Sequence, residues 1–168
     1  MKFTEERLEQ AIIELLGKEG YSHTRGETIE RAPEDVLIKS DLREFLAKRY
    51  QSEGITTYEI DQIIQKLEYL PASDLYDTNK AIMKLVSDGF LLKREDPSQK
   101  DLYIQLIDFD SVFAELKSEV NDQLKVAESS LSYLPKQDSN IYRIVNQMEI
   151  QGYELRIPDG ILYINGLP

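Results

Sequence analysis

The spacing of apolar positions divides the chain into a front part of helical period and a back part richer in strand period. Leu8, Ala11, Ile12, Leu15 and Leu16 recur at threes and fours, the mark of one apolar stripe on a helix. Thr4 stands where an N-cap belongs, with Phe3 and Leu8 at the flanking staple positions, and Gly17 and Gly20 offer stops. Residues 21–39 read as polar and irregular, punctuated by Gly26 and Pro33. A second helix is predicted from about Ser40, burying Leu42, Phe45 and Leu46. A third opens on the capping box Thr56-Thr57-Tyr58-Glu59, with Ile55 and Ile60 as staple and Ile60, Ile63, Ile64 and Leu67 as its stripe; Pro71 follows its end. A fourth runs over about 74–88 with Ile82, Leu85 and Val86 inward.

The period then changes. Residues 90–93 and 102–107 read as two strands joined by a turn at Glu95-Asp96-Pro97-Ser98. Residues 111–130 return to helical spacing through Val112, Leu116, Val120, Leu124 and Ala127, residues 129–139 read as a loop, and 141–150 and 161–164 as strands. Asn165-Gly166 follows an alternating apolar run, the strongest short-range hairpin signal, so a partner strand is expected from Leu167 and the sequence reads as a fragment. The expected fold class is α+β: a helical section over about 1–89, then a strand-rich section over about 90–168 with a helical insertion at 111–140.

Composition narrows the function. With 168 residues, 41% hydrophobic and 30% charged, the chain suits one domain or a little more, with an ordinary core. Twenty Lys+Arg against 31 Asp+Glu leave a net charge of −11, which supplies no general attraction to nucleic-acid phosphates. This argues against a stand-alone DNA-binding domain but leaves room for a nuclease that partners deliver to DNA and that uses a divalent metal. The absence of cysteine excludes disulfides, thiolate zinc sites and cysteine nucleophiles. No signal peptide, no membrane-spanning run and no Gly-x-x-x-x-Gly-Lys phosphate loop is present, so the expectation is a cytoplasmic protein with no membrane association and no ATP site in this segment.

The chemistry concentrates near the C-terminus, in Arg156-Ile157-Pro158-Asp159-Gly160-Ile161-Leu162-Tyr163-Ile164. Asp159 stands at the entry of a hydrophobic strand, where a fixed carboxylate is a good hard-oxygen ligand for magnesium in phosphodiester hydrolysis. Pro-Asp-Gly is equally a turn sequence in which the Asp bonds its own backbone. His23 is the only histidine, which excludes Ser-His-Asp and multi-histidine sites; it reads as a surface residue of a polar loop. Asp108 and Asp110 read as turn-forming, and Tyr76, Tyr103, Tyr142 and Tyr163 as residues at the edge of the core.

The run Asn146-Gln147-Met148-Glu149-Ile150 … Arg156-Ile157-Pro158-Asp159-Gly160-Ile161-Leu162-Tyr163-Ile164-Asn165-Gly166-Leu167-Pro168 resembles the N-terminal region of type I restriction-modification R subunits. Phe3-Thr4-Glu5, Leu8-Glu9, Leu42-Arg43-Glu44-Phe45-Leu46 and Leu106-Ile107-Asp108-Phe109-Asp110 carry the likeness through the chain. The resemblance implies a PD-(D/E)XK, restriction-endonuclease-like core that cleaves double-stranded DNA with Mg2+. Asp159 matches its first metal-binding Asp, and a Glu-x-Lys is expected past Pro168. It also implies a glutamate from the first helix in the site, with Glu9 the best match and Glu5 and Glu6 as rivals. The implied partners are DNA and the methylation and specificity subunits, with ATP consumed by modules outside this sequence; the chain alone is expected to be inactive. Residues 111–140 depart from the family pattern and read as an insertion. An alternative of another class is a non-catalytic winged-helix docking module over about 56–107. There the fourth helix carries only Lys80 and Lys84 against Asp74, Asp77 and Asp88, a poor charge for reading DNA.

Overall fold

The computed structural model describes residues 4–69, 75–110, 139–152 and 154–168. Phe3, Pro71, Asp74 and the helix predicted over 111–130 lie outside them. The chain is α+β and separates into two units, Met1–Leu70 with Ile141–Pro168, and Pro71–Asn140.

In the first unit, α1 (Glu5–Lys18) leads to β1 (Ser22–Arg25) and a short 3-10 turn (Gly26–Thr28). The sequence missed this strand, because four residues reading Ser-His-Thr-Arg carry no apolar alternation; β1 exists through backbone pairing with a distant strand. That strand is β4 (Tyr142–Asn146), which runs parallel to β1 and antiparallel to β7 (Ile161–Ile164), giving the order β1-β4-β7. The predicted strand over 141–150 is broken at Gln147, whose φ is +52°; the chain resumes in a two-stranded ribbon of β5 (Ile150–Gln151) and β6 (Leu155–Arg156).

Alternation along β4 sends Arg143 and Val145 to one face of the sheet and Ile144 and Asn146 to the other. The first face is covered by α2 (Lys39–Arg49) and the loop before it: Ile38, Val145, Met148 and Tyr163 form a buried cluster, and the Tyr163 hydroxyl donates to Val36 O at 2.9 Å. Tyr163 is thus a core residue, fully buried, not an edge one. α3 (Thr57–Glu68) packs on α2. Its capping box forms as predicted, with Glu59 N donating to Thr56 Oγ1 at 3.1 Å and Thr56 N to Glu59 Oε2 at 2.9 Å. Leu42, Phe45, Leu46, Ile60, Ile63, Ile64 and Leu67 are all buried. Each side chain so removed from water is worth roughly 1.5–3 kcal/mol, so this helix pair anchors the α2 face of the sheet.

The Asn-Gly turn also forms. Asn165 and Gly166 have φ of +54° and +77°, and Ile164 and Leu167 exchange both backbone hydrogen bonds at 2.9 Å. Gly166 is required twice over: by its φ, and because a Cβ there would lie 2.2 Å from Ile38 O.

The second unit contains α4 (Leu75–Asp88) and the antiparallel pair β2 (Phe90–Leu92) and β3 (Leu102–Ile104). Ile82, Leu85 and Val86 are the half-buried side of α4, as its spacing predicts. Asp108 is buried rather than turn-forming: Ser139 Oγ donates to Asp108 Oδ2 at 2.7 Å and Asn140 Nδ2 to Asp108 O at 3.0 Å, joining the chain on either side of residues 111–138. The stretch 56–107 proposed for a winged helix is shared between the units, with α3 in the first and α4, β2 and β3 in the second.

Candidate functional site at the sheet end

α1 sits on the sheet face opposite α2, and its rotation about its own axis decides what reaches the sheet. Of the predicted stripe only Leu16 turns inward: Ala11 is exposed, and Leu8, Ile12 and Leu15 are 52%, 45% and 59% exposed. The inner face is instead Glu9, Ile13 and Leu16, at i, i+4 and i+7, with Ile13 buried and the other two half-buried. The physical reason is the edge of the site. The inner face of α1 meets a polar rim at its first turns, and Glu9 satisfies a buried amide there that Leu8 or Ile12 would leave without a partner.

That amide belongs to Asn146, the last residue of β4, 9% exposed. Asn146 Nδ2 donates to Glu9 Oε1 at 2.8 Å, and Gln147 Nε2 reaches the same oxygen at 3.5 Å. On its other side, Asn146 Oδ1 lies 2.9 Å from His23 Nε2. With the amide in this orientation Oδ1 accepts, and His23 donates to it in its Nε2–H tautomer. His23 is therefore a strand residue in a hydrogen-bonded chain, not a loop residue as its polar neighbours imply. Register places it there, since β1 pairs with β4 from Ser22↔Arg143 through Arg25↔Asn146.

A hollow of about 520 Å3 opens beside this chain, lined among others by Glu6, Glu9, His23, Glu27, Asn146 and Gln147. Glu6 borders the hollow, but only Glu9 of the first-helix glutamates is held by the strand; Glu5 and Glu6 are exposed. Arg25 also borders the hollow and is 3.7 Å from Glu27, which occupies its charge.

Asp159 reaches the same end of the sheet by another route. Val145 pairs with Ile161, so Asp159, two residues earlier, enters beside the end of β4 where Asn146 and Gln147 stand. It is exposed, occupies a bend, and has no hydrogen-bond or ion-pair partner among the described residues, so the self-bonded Asp turn that its sequence equally permits is not formed. Asp159 does not line the Glu9 hollow; Ile157, just before it, lines a neighbouring one of about 440 Å3 together with Gln147 and Arg31. Among the described residues no group of three or more His, Asp or Glu side chains is arranged to hold a metal ion. The two carboxylates have the hard-oxygen chemistry that Mg2+ takes, but they make only part of a donor set.

An α+β unit whose sheet carries a helix glutamate and an unpaired strand-entry aspartate at one end defines a class, a domain with an oxygen-rich site at the end of its strands. The chain belongs to the family described as type I restriction enzyme R protein N terminus, which matches residues 2–168. No curated protein and no solved structure matches it. Among the described residues no helix is long and apolar enough to cross a membrane.

Sequence reasoning named Glu9 and Asp159 as candidates but did not anticipate that Asn146 and His23 stand beside Glu9. A signal for Asn146 was available: a polar side chain closing the apolar run Ile144-Val145. His23 had none, because its partner is 123 residues away.

Proposed function

We propose that this chain is the nuclease portion of a type I restriction R protein, built on a restriction-endonuclease-like, PD-(D/E)XK core. The observation that carries the reading is the inward turn of Glu9 onto the sheet end that Asp159 enters. Asp159 and Glu9 would hold Mg2+ together with further ligands outside the described set, such as a Glu-x-Lys on a strand adjoining β7. When bound, the cation supplies Lewis-acid stabilisation of the scissile phosphate and activation of water. Asp159, with no competing partner among the described residues, keeps its oxygens available as ligands. Glu9 is fixed by Asn146 so that its position does not depend on α1 side-chain freedom. The net charge of −11 leaves delivery of DNA to the methylation and specificity subunits and to ATP-driven modules of the R protein.

The test is Asp159→Ala in the R protein assembled with its partner subunits. DNA cleavage should be lost while ATP hydrolysis persists; retained cleavage overturns the assignment. The isolated chain should not cut DNA in Mg2+, because two carboxylates do not overcome the reluctance of that ion to shed water. Magnesium-dependent nicking by pure chain would contradict this.

A further inference from the structure

We infer that Asn146 is a positioning residue for Glu9, and that His23, as a donor in its Nε2–H tautomer, supports the Asn146 amide in the orientation that serves this purpose; the inference rests on the reading of Glu9 as a cation ligand. The amide stands between two groups that make opposite demands. Glu9 offers only acceptor oxygens, so it requires Nδ2, which lies 2.8 Å from Oε1. His23 donates in its Nε2–H tautomer to Oδ1, which lies 2.9 Å from Nε2. Turning the amide over would set its oxygen against the carboxylate and lose the Glu9 bond. Glu9 therefore fixes the orientation, and His23 supports it from the other side.

The consequence falls on Glu9. Its Oε1 is tied to the strand, and Oε2 has no partner among the described residues, beside a hollow of about 520 Å3. One oxygen is held and the other left to a ligand, the division of labour of a carboxylate placed to meet a cation. Arg25, which also lines the hollow, lies 3.7 Å from Glu27. Gln147, in the left-handed conformation at φ +52°, ends β4 and brings its own amide within 3.5 Å of the same oxygen. Glu9 and Asn146 are 137 residues apart in sequence, so this contact, rather than the local helix, sets where the carboxylate stands.

The experiment uses the nucleotide-free R protein and Mn2+ as probe, free Mn2+ being counted by its electron paramagnetic resonance signal. The site's share of binding is the part lost in Asp159→Ala. Asn146→Ala should weaken that part by about tenfold or more, the usual effect of removing the partner that orients a metal ligand. His23→Ala, on an exposed residue that does not threaten folding, should weaken it several-fold. His23→Gln, whose amide again donates to Asn146 Oδ1, should restore it. A merely structural role would lower thermal stability and leave Mn2+ affinity of the folded protein unchanged. Unchanged affinity in both Asn146→Ala and His23→Ala, with binding lost in Glu9→Gln, overturns the positioning role and leaves the Glu9 reading standing. Unchanged affinity in Glu9→Gln removes the Glu9 reading and this inference with it.

Discussion

The guanidinium of Arg143 grips both carboxylate oxygens of Asp41, Nε at 2.7 Å from Oδ2 and Nη2 at 3.0 Å from Oδ1. This bidentate pair ties the first turn of α2 to the middle strand of the sheet, on the face opposite Glu9. Asp41 is buried, whereas Arg143 keeps 25% of its side chain in solvent and also donates to Thr24 Oγ1 at 2.7 Å. Asp41→Ala leaves that guanidinium half-buried without its counter-charge. We expect a loss of roughly 2–3 kcal/mol, below the full figure for breaking a wholly buried pair because water still reaches the arginine. Urea denaturation would show it as a lower midpoint at unchanged slope.

The rotation of α1 has a direct mutational signature. Ile13→Ala should cost about 2–4 kcal/mol as a buried deletion. Leu8→Gln and Ile12→Gln should each stay within about 0.5 kcal/mol, because those positions face solvent. Thermal unfolding of the three variants side by side is decisive: equal losses at Leu8, Ile12 and Ile13 would mean that the stripe read from spacing is the inner face after all.

Burial pushes the Tyr163 hydroxyl up from 10.0 to about 12. A raised value means the folded state keeps its proton after the unfolded state has begun to lose it. The contribution is therefore fully present below pH 10 and is lost as pH rises through the folded value near 12. Tyr163→Phe should remove this part of the alkaline fall in stability. At neutral pH the same change should cost about 1 kcal/mol, since Val36 O loses its 2.9 Å donor. A variant whose pH profile between 10 and 12 matches the unsubstituted chain would exclude Tyr163 as the titrating group.

Gly166→Ala meets two penalties, a left-handed φ of +77° and a Cβ 2.2 Å from Ile38 O. The first alone costs about 1–2 kcal/mol. The second displaces the backbone that receives Ile38 N at Gly166 O, 2.9 Å apart, at the start of α2. A total above ~2 kcal/mol is expected, measured as the fall in urea midpoint. A neutral outcome would mean that the turn does not hold α2 in place.

The sequence by itself determined what short-range energetics determine. α3 was legible because its capping box and its stripe of Ile60, Ile63, Ile64 and Leu67 lie within 12 contiguous residues that stabilise one another. The turn at Asn165-Gly166 was legible because both residues tolerate the left-handed region that a tight hairpin needs. The family resemblance through Asp159 was legible for a different reason, since it is carried by contiguous residues at a strand entry. Tertiary structure alone decided the rest. Leu8, Ile12 and Leu15 outweigh Ile13 in any count of apolar spacing, yet a helix presents the face that best satisfies what it packs against, and here that includes a buried amide from residue 146. β1 has no apolar alternation and exists because β4, more than a hundred residues further on, offers it a backbone edge. Glu9, Asn146 and His23 become neighbours only when α1, β4 and β1 meet, and no pattern in the sequence records contacts whose energy is realised only on closing loops of that length.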